Sequence, residues 1–150
     1  MPVKRILVVD DNAELVKALQ IRLTQKHYEV LVAFDGREGL QKAKKHKPDL
    51  IILDIVIPKM EGGSVAAALK EDRATRDIPV IFLTGLAGGL TETPEGRLRG
   101  GNVFLGKPFD TEELMSMVED LLEVWIGQYA VLLHILIPLV VLHNLIQQQV

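Results

Sequence analysis

Five short apolar runs, rich in β-branched residues, alternate along the chain with stretches of helical periodicity. The runs are residues 6–9, 30–33, 50–53, 79–83 and 103–105. Continuous apolar runs of this length suit strands buried on both faces. Regular strand–helix alternation points to a parallel sheet, covered by helices on both faces and joined by right-handed crossovers. Four of the runs stop at residues able to bind a cation or a phosphoryl group: Asp10 and Asp11, Asp54, Thr84, and Lys107. In a sheet of this kind the C-terminal strand ends line one crevice, so residues distant in sequence become one site.

The connecting segments fit the same plan. Asp11 and Glu14 have capping-box spacing, with Asn12 an alternative cap. Leu15, Ala18, Leu19 and Leu23 then form a helical stripe to about Lys26. Asp35-Gly36 is a turn, and a lysine-rich helix with Leu40 and Ala43 inward runs to Pro48. Pro58 and Gly62-Gly63 mark a loop before a short alanine-rich helix at residues 64–70. Residues 85–101 hold many glycines and Pro94, so the spacing predicts a short or distorted fourth helix there. Asp110 and Glu113 open a last helix that turns Leu114, Met117, Val118, Leu121 and Leu122 inward.

Composition narrows the function. A net charge of −3 gives no electrostatic footprint for direct nucleic-acid binding. With no cysteine there is no disulfide framework, thiolate nucleophile or Cys-based metal site. This fits a reducing, cytoplasmic setting, and the first residues are too soon interrupted by charge for a secretory signal.

Asp10, Asp11 and Asp54 place three carboxylates in the expected crevice. They repel one another unless a hard divalent cation sits among them, and Mg²⁺ prefers a few carboxylates with waters and phosphate oxygens. Lys107 adds a positive charge and Thr84 a hydroxyl, which together suit a phosphoryl group held over Asp54. A carboxylate can itself be the nucleophile and carry the phosphate as an acyl phosphate.

Four motifs stand in order: Val8-Val9-Asp10-Asp11-Asn12, the stretch from Leu53 and Asp54 through Pro58 to Gly62, Phe82-Leu83-Thr84-Gly85, and Phe104-Leu105-Gly106-Lys107-Pro108-Phe109. Residues 3–126 thereby resemble the receiver domain of two-component response regulators. The resemblance implies a flavodoxin-like (βα)5 fold of strand order 2-1-3-4-5, with Asp54 as phosphoacceptor. It implies Mg²⁺ held by Asp10, Asp11, Asp54 and the backbone carbonyl of Val56. Lys107, Thr84 and Gly85 bind the phosphoryl group on this pattern, and Lys107-Pro108 is a cis peptide. The resemblance further implies that Thr84 and Phe104 act as the conformational switch. The implied partner is a histidine kinase or a histidine phosphotransfer protein, and the role is signalling with slow self-dephosphorylation.

Two other classes compete. A receiver that is never phosphorylated would serve only as a structural or interaction module, yet no acidic or lysine residue of the set is missing. A haloacid-dehalogenase-like phosphatase needs a second Asp two residues after the nucleophile, where this chain has Val56. Beyond Lys107 there is no Lys or Arg, and residues 124–150 carry no formal charge apart from His134 and His143. The reading divides the chain into a receiver domain, 1–126, and an apolar helical extension, 127–150. Trp125, Tyr129, Leu132, Leu133, Leu136, Leu139 and Leu142 are expected to bury against a second copy in a homodimer. A membrane anchor is the less favoured alternative, because Gln128, Pro138 and Asn144 interrupt the run and no basic residues flank it.

Overall fold

The computed structural model describes residues 3–85, 98–99 and 102–122. The described chain runs β1 (Arg5–Val9), α1 (Ala13–Gln25), β2 (Glu29–Ala33), α2 (Gly36–His46), β3 (Leu50–Asp54), α3 (Gly62–Glu71), β4 (Val80–Thr84), β5 (Leu98–Arg99), β6 (Asn102–Gly106) and α4 (Thr111–Leu122). The sheet order is β2-β1-β3-β4-β6-β5. Five strands are parallel in the expected 2-1-3-4-5 order, with β6 as the fifth run. The two-residue β5 is an addition: it pairs antiparallel with β6 at the sheet edge. Apart from Gly85 and these two residues, the region expected to hold a distorted fourth helix lies outside the described residues. So does the apolar extension from Trp125 onward.

The central strands β1, β3 and β4 are buried because helices cover both of their faces, while the edge strand β2 is only half-buried. On one face Val16, Leu19 and Leu23 of α1 and Leu114, Met115 and Val118 of α4 pack against Ile6, Val8, Ile52 and Ile81. On the other, Ala43 of α2 and Val65 and Leu69 of α3 pack against Leu7, Val9, Ile51 and Leu53. The α1 stripe differs from expectation in two positions: Val16 is buried and Ala18 is exposed. Ion pairs join α1 to α4 through Arg22–Glu112 and Lys26–Glu119.

Local chemistry sets the element ends. Asn12 caps α1, its side chain accepting from the Leu15 amide, so the choice between Asp11 and Asn12 falls to Asn12 and leaves the Asp11 carboxylate uncommitted to the cap. Asp35 caps α2 by accepting from the Glu38 amide at 2.8 Å. The α3 helix starts at Gly62, earlier than the glycine pair suggested. At its far end the buried Thr75 hydroxyl donates to the Leu69 carbonyl at 2.7 Å, satisfying a helix-terminal acceptor.

Candidate phosphoryl and cation site

The strand order reverses between β1 and β3, and such a switch point leaves an open crevice at the C-terminal strand ends. Asp10 follows β1 and Asp54 ends β3, so the crevice is walled by carboxylates. Asp10 is fully buried, Asp54 is nearly so, and Asp11 lies exposed at the mouth. One carboxylate oxygen from each of the three lies within 4.8 Å of the others.

Lys107 is the cation of the site. Its Nζ donates to Asp10 Oδ2 at 2.8 Å and to Asp54 Oδ2 at 3.2 Å. Backbone amides hold the other oxygens: Asn12 N donates to Asp10 Oδ1 at 2.9 Å, and Val56 N to Asp54 Oδ1 at 3.1 Å. Lys107 reaches in because its own amide donates to the Thr84 carbonyl at 2.8 Å, which ties the ends of β4 and β6 together. The Lys107-Pro108 peptide is cis, as the resemblance implied.

The electrostatics follow from burial and these neighbours. Burial lifts the Asp54 carboxyl above the ordinary aspartate range, the Val56 amide opposes this, the charge of Asp10 adds to it, and the Lys107 ammonium opposes it. Burial works against the Lys107 ammonium, but the hydrogen bond and charge of Asp10, then of Asp54, outweigh it and raise its pKa. The proton therefore stays firmly on Lys107, while burial makes the Asp54 carboxyl harder to ionise than an ordinary aspartate.

The remaining expected residues are distributed around this centre. Thr84 is buried at the end of β4, and Gly85 is exposed immediately after it. Val56 is 66% exposed in the loop leaving β3. Phe104 sits in mid-strand, stacked on Phe82 with ring centroids 5.1 Å apart. Residues 125–142 of the extension are outside the described chain.

Gly62, which in the sequence marks only a loop, contributes to the site. A Cβ there would lie 2.5 Å from the Asp54 carbonyl oxygen and 2.8 Å from Ile55 Cα. The start of α3 therefore presses on the backbone of Asp54, and the Gly62 amide donates to the Ile55 carbonyl at 3.0 Å. The glycine was visible in the sequence, but its neighbour was not.

The family model of the response regulator receiver domain matches residues 6–119. Among curated proteins, the chain is 42% identical over 117 residues to the response regulator PleD of Caulobacter vibrioides, covering 78% of this chain and 26% of that protein. It is 40% identical over 118 residues to the DNA-binding dual master transcriptional regulator RpaA of Synechocystis, covering 79% of this chain and 48% of the relative. Among solved structures, the chemotaxis response regulator CheY4 of Vibrio cholerae superposes with a TM-score of 0.68 at 30% identity, covering 80% of this chain and 99% of that one. A CheY-like receiver domain protein of Methanospirillum hungatei gives 0.71 at 26% identity, covering 85% and 99%.

Together with the switch-point site, these matches place the chain in the response regulator receiver domain family. The chain spans half or less of the length of the two curated relatives.

Proposed function

We propose that the chain is a phosphoacceptor receiver that takes a phosphoryl group from a phosphohistidine onto Asp54. The supporting observation is the Lys107 ammonium within hydrogen-bond reach of both Asp10 and Asp54 at the topological switch point. A carboxylate oxygen of Asp54 attacks phosphorus as the P–N bond to the donor imidazole breaks, and the imidazole departs. Lys107 stands where the new phosphoryl oxygens would need a counter-charge. The Thr84 hydroxyl and the Gly85 amide at the end of β4 are the proposed further donors. Thr84 moving toward the phosphoryl group, with Phe104 repacking beside it, is the proposed switch.

The donor set fits a hard divalent cation: three carboxylates whose oxygens converge, with Asp11 open to solvent. Asp10, Asp11, Asp54 and the backbone carbonyl of Val56 would hold Mg²⁺, which supplies charge neutralisation for the attacking and transferred oxygens. Its proposed partners are a histidine kinase or a histidine phosphotransfer protein, in the cytoplasm. The name of the Synechocystis relative speaks of DNA binding. The charge balance of this chain gives no reason to carry that over as a direct contact.

A receiver that is never phosphorylated is the rival, and a Mg²⁺ titration separates the two. The thermal midpoint should rise with Mg²⁺, since a ligand at about a hundred times its Kd adds roughly 2.7 kcal/mol. Asp11→Asn should blunt the rise. A midpoint indifferent to Mg²⁺ in both proteins contradicts the metal-dependent reading.

A further inference from the structure

We propose that the N-terminus of α2, through Asp35 and Gly36, is a positioning element that holds the loop after Asp54 in the shape needed at the phosphorylation site. The inference rests on the receiver reading and assigns a task to residues outside the acidic crevice.

The loop, residues 55–61, contains a strained turn. Lys59 has φ 67°, and the Met60 amide donates to the Pro58 carbonyl at 2.9 Å. Positive φ at the centre of an i→i+2 hydrogen bond marks the rare, strained hand of γ-turn. A non-glycine residue keeps such a conformation only when its surroundings over-determine it.

The surroundings that do so belong to α2. The same Pro58 carbonyl accepts from the Gly36 amide at 3.1 Å, using a donor that the first turn of a helix leaves free. The Asp35 carboxylate divides its oxygens: Oδ1 caps α2 and Oδ2 pairs with Lys59 Nζ at 3.4 Å. Gly36 has no room for a side chain, because a Cβ would run into the Met60 carbonyl group. At its other end the loop is fastened to the site. The Ile55 amide donates to the Leu83 carbonyl at 3.0 Å, and the Val56 amide to Asp54 Oδ1 at 3.1 Å. Val56 is thus held between the acceptor carboxylate and a turn that α2 clamps.

The test uses the full chain with Gly36→Ala and Asp35→Asn. The second keeps a capping oxygen but removes the charge that faces Lys59. Thr75→Val, at the far end of α3, controls for general loss of stability. Mg²⁺ affinity is measured by calorimetry and thermal midpoints are recorded alongside. Gly36→Ala should weaken Mg²⁺ about tenfold, the scale of supporting-residue losses at metal sites. Asp35→Asn should weaken it about two- to threefold, as befits an ion pair whose lysine is exposed. Phosphoryl uptake by both should recover at saturating Mg²⁺, and Thr75→Val should lower the midpoint with affinity unchanged. Weakened binding in either variant, with the control unaffected, supports the proposal. Wild-type affinity in every folded variant, or equal weakening in the control, overturns it while leaving the receiver reading intact. A wild-type protein that binds no Mg²⁺ overturns both.

Discussion

Lys107 and Asp54 show how one contact serves both stability and chemistry. The ammonium pairs with two carboxylates that would otherwise face each other in a poorly solvated crevice, yet burial still holds the Asp54 carboxyl above its ordinary pKa. A folded-state value above the unfolded one means that the folded chain binds this proton more tightly. Ionising Asp54 therefore costs stability, and the cost appears as pH rises through the interval between the two values. Asp54→Asn removes it, so in metal-free buffer the variant should melt above the wild type at pH 7. The gap should close on acidification toward about pH 4, where the unfolded carboxyl also takes up its proton. A variant that melts lower at pH 7, or a gap indifferent to pH, would contradict this. Thr75 is a purely structural counterpart. Its buried hydroxyl satisfies the Leu69 carbonyl, so Thr75→Val should lose about 1–2 kcal/mol in urea denaturation, the cost of a buried acceptor left unmet.

At the scale of elements, the glycine that begins α3 ties the helix to the acceptor strand. Gly62→Ala puts a methyl group against the backbone of Asp54 and Ile55, neither of which can turn aside as a side chain would. It should cost about 1–3 kcal/mol, in the range of overpacked cores, and slow phosphoryl uptake at Asp54. Urea unfolding and a labelling time course would check the two effects. The strands were legible in the sequence because fully buried parallel strands are nearly unbroken apolar runs. The order of the carboxylate and lysine motifs carried the site. What stayed hidden was pairwise. The leucine spacing of α1 offers a stripe as good as the true one, whereas the real inward face, with Val16, is fixed by where α1 meets the sheet. β5 is defined by backbone pairing with β6 and has no run of its own. Glycine announces a close approach without saying to what, so neither Gly36 against Met60 nor Gly62 against Asp54 was readable beforehand.

For the whole molecule, the sheet gathers strand ends into one site, and the described helices bury a cluster of apolar side chains against each of its faces. Among the described residues no helix is long and apolar enough to cross a membrane. The uncharged extension beyond the receiver is proposed to pair with a second copy. Truncation after residue 126 should therefore leave a folded monomer, while the full chain scatters light as a dimer in detergent-free buffer. A monomeric full chain would contradict that assignment. The central claim concerns Asp54 and is tested by incubating the protein with Mg²⁺ and a small-molecule phosphodonor, then locating the added mass. The account predicts one base-labile phosphoryl group on Asp54, dependent on Mg²⁺ and absent from Asp54→Asn. An adduct on another residue, or no adduct on the wild type with Mg²⁺ present, would contradict it.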